Sequence, residues 1–506
     1  MRTLTLVLLL LTACTSYASK DAASGAPRYS TRPHDNEVYA WTYESGFVDP
    51  EQAPLSTFAI DVDTASYANV RRYLQQRRQL PPAGAVRIEE LLNAFEYNDP
   101  APAGGAAVGV QVDAASAPWT PLHRLVRIAI TGKSMQRSMR PDANLVFLID
   151  TSGSMKDTDK LPLVKRSLFL LLDQLEARDR VAIVTYARGA NTVLPSTSLT
   201  QRSRIEDAID SLKARGSTNG SAGLESAYER AAEGFIESGV NRVILCTDGD
   251  FNRGRTSRHE LQSLIQKRAK SGVYLSVLGL GQGNLNDANL ELLADHGNGH
   301  YAYIDSLDEA RRVLSQQLEA NLVTVAEGVK AQVEFNPSKV AAYRLIGYEN
   351  RRIADNEFAN DNAMGGVLGG GRTVVALYEI IPHGYGHARP GVESYKYRGT
   401  QEADAPRRGA DSAELLTVKV RYQKPGGGQS TRIEVSLVDG GRSYEEASED
   451  FRFTAAVAAF GMVLRESPHR GGASYGLVQE LAGGTRGEER SEFRSLVRAA
   501  ERFARD

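Results

Sequence analysis

Between residues 144 and 322, short and largely apolar runs alternate with stretches of helical period. Leu145-Val146-Phe147-Leu148-Ile149 contains no polar residue, and 181–186, 242–247, 273–278 and 300–304 are further strand-like runs, with a shorter one near 193. A strand with one face in water alternates apolar and polar residues, so an unbroken apolar strand needs cover on both faces. The cover lies between the strands: 163–175, 204–212, 222–235, 259–270, 290–294 and 307–322 carry helical spacing. This order predicts a doubly wound α/β domain built on a parallel sheet. Such a sheet places its ligand loops at the carboxyl ends of its strands.

Three loops fit that position. The first strand runs into Asp150-Thr151-Ser152-Gly153-Ser154, a D-x-S-x-S turn. Gly216-Ser217-Thr218-Asn219-Gly220 precedes a helix, and the strand ending at Thr247 delivers Asp248-Gly249-Asp250. If the loops share one edge, they pool the carboxylates of Asp150 and Asp248 with the hydroxyls of Ser152, Ser154 and Thr218. An all-oxygen set of this kind suits a hard divalent cation, Mg²⁺ or another such as Mn²⁺. Two carboxylates nearly balance the ion and leave one position open for an acidic side chain of a partner. A lone D-x-S-x-S arises by chance in roughly one chain in ten of this length; three loops in order, each on its proper element, do not. The set resembles the von Willebrand factor A (VWA) domain, a Rossmann-like fold, and its metal-ion-dependent adhesion site. The resemblance implies Asp150, Ser152, Ser154, Thr218 and Asp248 as metal ligands.

The flanks have a different pattern. A strand at 55–63 leads into a helix through Tyr67, Val70 and Leu74, which Pro81-Pro82 stops; a second short helix is expected over 86–97. After a Pro/Ala/Gly linker at 100–107, strands follow at 108–112 and 125–131. Beyond Val323, two-fold alternation returns at 329–335, 340–348, 373–380, 415–422 and 431–437, with Pro425-Gly426-Gly427-Gly428 as a turn. These segments predict a β-sandwich-like domain into which the α/β domain is inserted. The segment 398–413 is a charged loop, and 451–464 and 493–503 are expected as amphipathic helices packed on the body. The domain boundaries expected are 1–13, 14–54, 55–140, 141–322, 323–445 and 446–506. Three segments, 56–67, 247–252 (Thr-Asp-Gly-Asp-Phe-Asn) and 453–462 (Phe-Thr-Ala-Ala-Val-Ala-Ala-Phe-Gly-Met), resemble the bacterial YfbK-type VWA lipoproteins. The likeness spans about residues 55 to 490 and implies an envelope lipoprotein with a VWA core.

The amino terminus agrees with that expectation. Residues 1–13 read as a secretory signal peptide, and Leu11-Thr12-Ala13-Cys14 resembles a lipobox, which implies cleavage before Cys14 and its lipidation. More than one acyl chain anchors stably. Residues 14–54, rich in small and polar residues, read as a tether. Thr15 rather than Asp after the cysteine favours an outer membrane if the host is Gram-negative. Cys246, inside an apolar run, is the only other cysteine, so no disulfide framework is expected. With 60 basic against 62 acidic residues the formal net charge is −2, which argues against a nucleic-acid binder. No run after residue 13 approaches the roughly 20 apolar residues of a membrane span.

Other candidates are weaker. Gly279-Leu280-Gly281-Gln282-Gly283 lacks dinucleotide-loop spacing and reads as a tight turn. The pairs His296/His300 and His383/His387 bracket glycines, which disfavour the helix that makes i and i+4 a metal pair. Asp61 and Asp63 read as capping and hydrogen-bonding residues, and Asp250 as metal-loop support or a solvated turn. No Ser-His-Asp or Cys-His arrangement stands out. The expected function is capture of a partner protein through bound metal, with a metal-stiffened scaffold as the alternative and a metal-assisted hydrolase behind it; no enzymatic activity is expected.

Overall fold

Along the strand Ala143–Asp150, successive side chains divide between two cores: Leu145, Phe147 and Ile149 enter one, Val146 and Leu148 the other. All five are buried, which is the physical reason for the unbroken apolar run. The computed structural model describes residues 28–32, 35–41, 43–187, 189–216, 220–249, 258–384 and 412–505. In space the sheet runs Tyr301–Ile304, Tyr274–Leu280, Val240–Thr247, Ala143–Asp150, Arg180–Tyr186, Ala190–Ser198. Its pairs are parallel except the last, an antiparallel edge. Helices Leu161–Leu172 and Arg202–Ser211 cover one face; Gly220–Glu233, Arg258–Lys270 and Asp287–His296 cover the other. Ile149 lies opposite Cys246, so Asp150 and Asp248 leave neighbouring strands at the same edge.

The flanking strands close into two antiparallel sheets. One runs Val340–Ile346, Thr373–Pro382, Thr120–Gly132, Val108–Ala117. The other runs Gly366–Gly369, Thr324–Phe335, Glu414–Gln423, Thr431–Val438, with Leu55–Ala59 also paired to Thr324–Phe335. Phe58, Ile128 and Ile130 share a core with Val333, Tyr378 and Val418, so strands from both sides of the α/β domain build one sandwich. The α/β domain is an insertion within it.

A third layer covers the outer face of the first of these sheets. Helices Ala65–Gln75, Ile88–Asn93, Glu449–Leu464 and Glu488–Arg505 pack Val70, Leu91, Phe460 and Leu496 over Leu125 and Leu377. Phe95, Phe453 and Phe493 meet edge to face with ring centroids 4.9–5.7 Å apart. Three expectations are corrected here. Helix Glu449–Leu464 is buried on nearly every side rather than amphipathic, because it sits between other helices and the sheet. The helix expected over 86–97 is only Ile88–Asn93.

The tether expected over 14–54 does not extend through residues 35–54. Asp35–Trp41 is a strand, and the Val38 N–H donates to the Leu285 carbonyl at 2.8 Å. Glu37 is buried under Arg72, whose Nη1 and Nη2 lie 2.7 and 2.8 Å from its oxygens, with Arg77 and Tyr73 also donating. Composition marked this segment as polar, but its buried acid Glu37 has dedicated cationic partners elsewhere in the chain. Residues 1–13, Cys14, Thr218, Asp250, His387 and most of 398–413 lie outside the described residues.

Candidate functional site

Asp150 ends the central strand, where one carboxylate oxygen turns the chain: Oδ1 accepts the Ser152 N–H at 2.7 Å. Oδ2 is buried with no hydrogen-bond partner among the described residues. The Ser152 and Ser154 hydroxyl oxygens lie 2.9 Å apart. The backbone fastens this turn to its neighbours: Thr151 N–H donates to the Tyr186 carbonyl at 3.0 Å, Gly153 N–H to Gly216 at 3.0 Å, and Arg215 N–H to Thr151 at 2.6 Å. The first and second predicted loops therefore join within two residues of Thr218. Asp248 completes the edge, 3% exposed, with Lys160 Nζ 3.0 Å from its Oδ2. Gly249 follows at φ +128°, and a Cβ there would lie 2.1 Å from the Asn284 carbonyl oxygen, so the turn after Asp248 requires glycine.

The electrostatics of this edge are unbalanced. Burial pushes the Asp150 carboxyl up to about 6; the Ser152 N–H and the hydroxyls of Ser152 and Tyr186 hold it down, while the Asp248 charge raises it further. A buried carboxylate oxygen without a donor is costly unless a cation or donor meets it. The oxygens of Asp150, Ser152, Ser154 and Asp248 form a hard donor set at one edge, chemically suited to a divalent ion of the Mg²⁺ or Mn²⁺ type. The sequence reading missed Lys160. Its only signal was a cation directly ahead of an apolar helix, with nothing to show that it turns back on Asp248.

The weaker candidates resolve into structure. Asp61 and Asp63 both accept from Arg351 Nη2, at 2.9 and 3.2 Å, and Asp63 Oδ1 accepts the Tyr301 N–H at 2.6 Å. Glu90 brings an oxygen within 4.8 Å of both, but Arg87 engages it. This buried cluster joins the amino-terminal segment to the α/β domain. Gly281 and Gly283 take positive φ in the turn after Tyr274–Leu280, and the Lys160 stem packs on Gly281. His296 Nδ1 meets Gln266 at 2.9 Å, His300 Nδ1 meets Ser276 at 3.1 Å, and His383 Nε2 meets the Pro337 carbonyl at 2.9 Å.

The sheet order and its carboxyl-edge loops define a protein with a von Willebrand factor type A domain. The model of that family matches residues 144–317, and a family described as "von Willebrand factor" matches 33–127. Residues 320–503 match the family described as "Uncharacterized protein YfbK, C-terminal". The chain is 42% identical over 461 residues to YfbK of Escherichia coli (strain K12), covering 89% of this chain and 78% of that protein. It belongs to the YfbK family. The protein sll0103 of Synechocystis sp. is 32% identical over 194 residues, 38% of this chain and 45% of its own length. A solved von Willebrand factor type A protein from Catenulispora acidiphila is similar at 15% identity and a TM-score of 0.43, covering 80% of this chain and 91% of its own. A VWA domain implies a protein-interaction or adhesion role.

Proposed function

We propose that the protein captures a partner protein through a divalent cation, Mg²⁺ or Mn²⁺, held by Asp150, Ser152, Ser154, Thr218 and Asp248. The observation that carries this reading is the buried Asp150 Oδ2, without a hydrogen-bond partner among the described residues, beside the paired Ser152 and Ser154 hydroxyls. When bound, the ion supplies a Lewis-acidic position to which a partner's Asp or Glu carboxylate coordinates. Asp150 and Asp248 nearly neutralise it, which weakens its power to acidify water, and the reading includes no catalytic step.

The surface beside the site supports an acidic partner. Met155, Leu161, Phe169 and Leu212 line a cleft of about 520 Å³, bordered by four cations, Lys156, Lys165, Arg166 and Lys213, and one acid, Asp210. An apolar floor inside a cationic rim suits a segment that pairs acidic with apolar side chains. The protein works at the cell envelope in this reading, anchored through lipidated Cys14, on the outer membrane in a Gram-negative host. No helix among the described residues is long and apolar enough to cross a membrane.

A pull-down from envelope extract with residues 15–506 tests the metal reading, comparing Mg²⁺, EDTA and Asp150→Ala. Retention of a partner only with Mg²⁺ and intact Asp150 supports it. Equal retention in all three moves the interface off the metal loops and leaves any ion a structural, loop-stiffening part.

A further inference from the structure

At the amino-terminal end of the same sheet, two buried guanidiniums sit together without an acid. Arg242, on strand Val240–Thr247, is 3% exposed, and Arg372, just before strand Thr373–Pro382 of the sandwich, is 8% exposed. Arg242 donates to Ser276 Oγ at 2.6 Å and to the Leu322 carbonyl at 3.5 Å. Arg372 donates to Gln317 Oε1 at 3.1 Å and to the carbonyls of Val62 and Asn93 at 2.9 and 3.2 Å. Every one of these acceptors is neutral, and the Nε of each arginine is buried with no partner. The buried arginines Arg71, Arg72, Arg87, Arg140 and Arg351 all reach a carboxylate. Among the described residues, none reaches Arg242 or Arg372.

A third donor faces them. Ser276 Oγ accepts from Arg242 and lies 3.1 Å from His300 Nδ1; in the tautomer that takes the Ser276 proton at Nδ1, the imidazole carries its own proton on Nε2. Burial, reinforced by the two guanidiniums, holds His300 well below its ordinary pKa, so it adds a neutral N–H. Burial brings Arg242 and Arg372 each to about 10, which leaves both charged at neutral pH. Arg242, Arg372 and His300 line one cavity of about 20 Å³ between the α/β domain and the sandwich. That volume admits one water-sized group, too little for a phosphate or sulfate.

We infer that this cavity binds a single halide-sized anion, chloride in the cell, held by Arg242, Arg372 and His300. Asp63, Glu96 and Asp61 act on Arg372 only at longer range and none bonds to either guanidinium, so a counter-charge in direct contact is favoured in this low-dielectric joint, and a monatomic anion is the one that fits. The bound ion ties strand Val240–Thr247 to the sandwich, and the inference is independent of the metal reading at the other end of the sheet.

Thermal melts of the mature chain in sodium chloride and sodium gluconate at equal ionic strength test it. The expected result is a saturable rise in Tm of about 2–4 °C with chloride. Arg242→Met should abolish that rise and be no less stable than the parent without chloride; Arg372→Met serves if the first variant does not fold. Crystals of the parent grown in bromide should show an anomalous peak between the two arginines. A chloride response that survives in the folded variants, or no bromide peak in the cavity, overturns the assignment.

Discussion

At the foot of the α/β domain Arg140 and Asp179 close on each other in two hydrogen bonds of 2.9 and 2.5 Å, both side chains fully buried. Asp179 also accepts the N–H groups of Ala143 and Glu176, at 2.9 and 2.7 Å, and so fixes where the central strand begins. At the far end of that strand Asp150 is equally buried but keeps one oxygen without a partner among the described residues, where Lys160 bonds Asp248. The two ends of this strand therefore treat their buried acids, Asp179 and Asp150, differently. A charge matched within the chain holds the fold together; a charge left unmatched lowers stability and persists where a ligand supplies what the fold does not.

Substitutions at each kind of site separate these roles. The largest effect is expected from Arg140→Ala, which leaves Asp179 charged and unpaired; chemical denaturation should show a loss of about 3–5 kcal/mol. Glu37, a second matched charge, is next. Although burial opposes it, the hydrogen bonds and charge of Arg72 lower its carboxyl from 4.5 to about 2. A folded-state pKa below the unfolded one means its contribution is complete above pH 4.5 and disappears as pH falls through 2. Glu37→Gln should therefore cost about 2–3 kcal/mol at neutral pH and flatten the stability profile in that acid window.

Gly249→Ala acts on the unmatched end through the backbone. Its positive φ and the close Asn284 carbonyl make about 2 kcal/mol of destabilisation the expected outcome, with Mg²⁺ binding by calorimetry weakened at least tenfold as Asp248 moves. Asp150→Asn should reverse the sign seen at Arg140: the metal-free protein holds or gains about 1 kcal/mol, while metal-dependent capture disappears. A substantial stability loss in Asp150→Asn would remove the distinction between the two ends. The smallest effect belongs to Lys165→Glu on the cleft rim, within about 0.5 kcal/mol of the parent in stability but several-fold weaker in partner capture.

The parts of the molecule that were legible in advance are those whose information lies within a few residues. The run 145–149 announced a strand covered on both faces, and Asp150, Ser152 and Ser154 form one turn whose spacing is its geometry. The insertion was visible because two-fold alternation resumed beyond Val323. The misreadings share one cause. Glu37 looked like part of a polar tether because Arg72 and Tyr73, its partners, stand 35 and 36 residues away. Helix Glu449–Leu464 looked amphipathic because nothing in its own spacing shows that Ile88 and Leu91 crowd its Gly461 face.

The sequence by itself determined the periodicities, the order of elements, the turn chemistry at Asp150 and the glycine after Asp248, since backbone sterics and side-chain period act locally. Only the tertiary structure decided which charges are matched. It set Lys160 against Asp248, Arg140 against Asp179, and Arg242 beside Arg372 with no acid between them. The cost of a charge depends on how far it is removed from water and on what lies within a few ångströms, and packing fixes both.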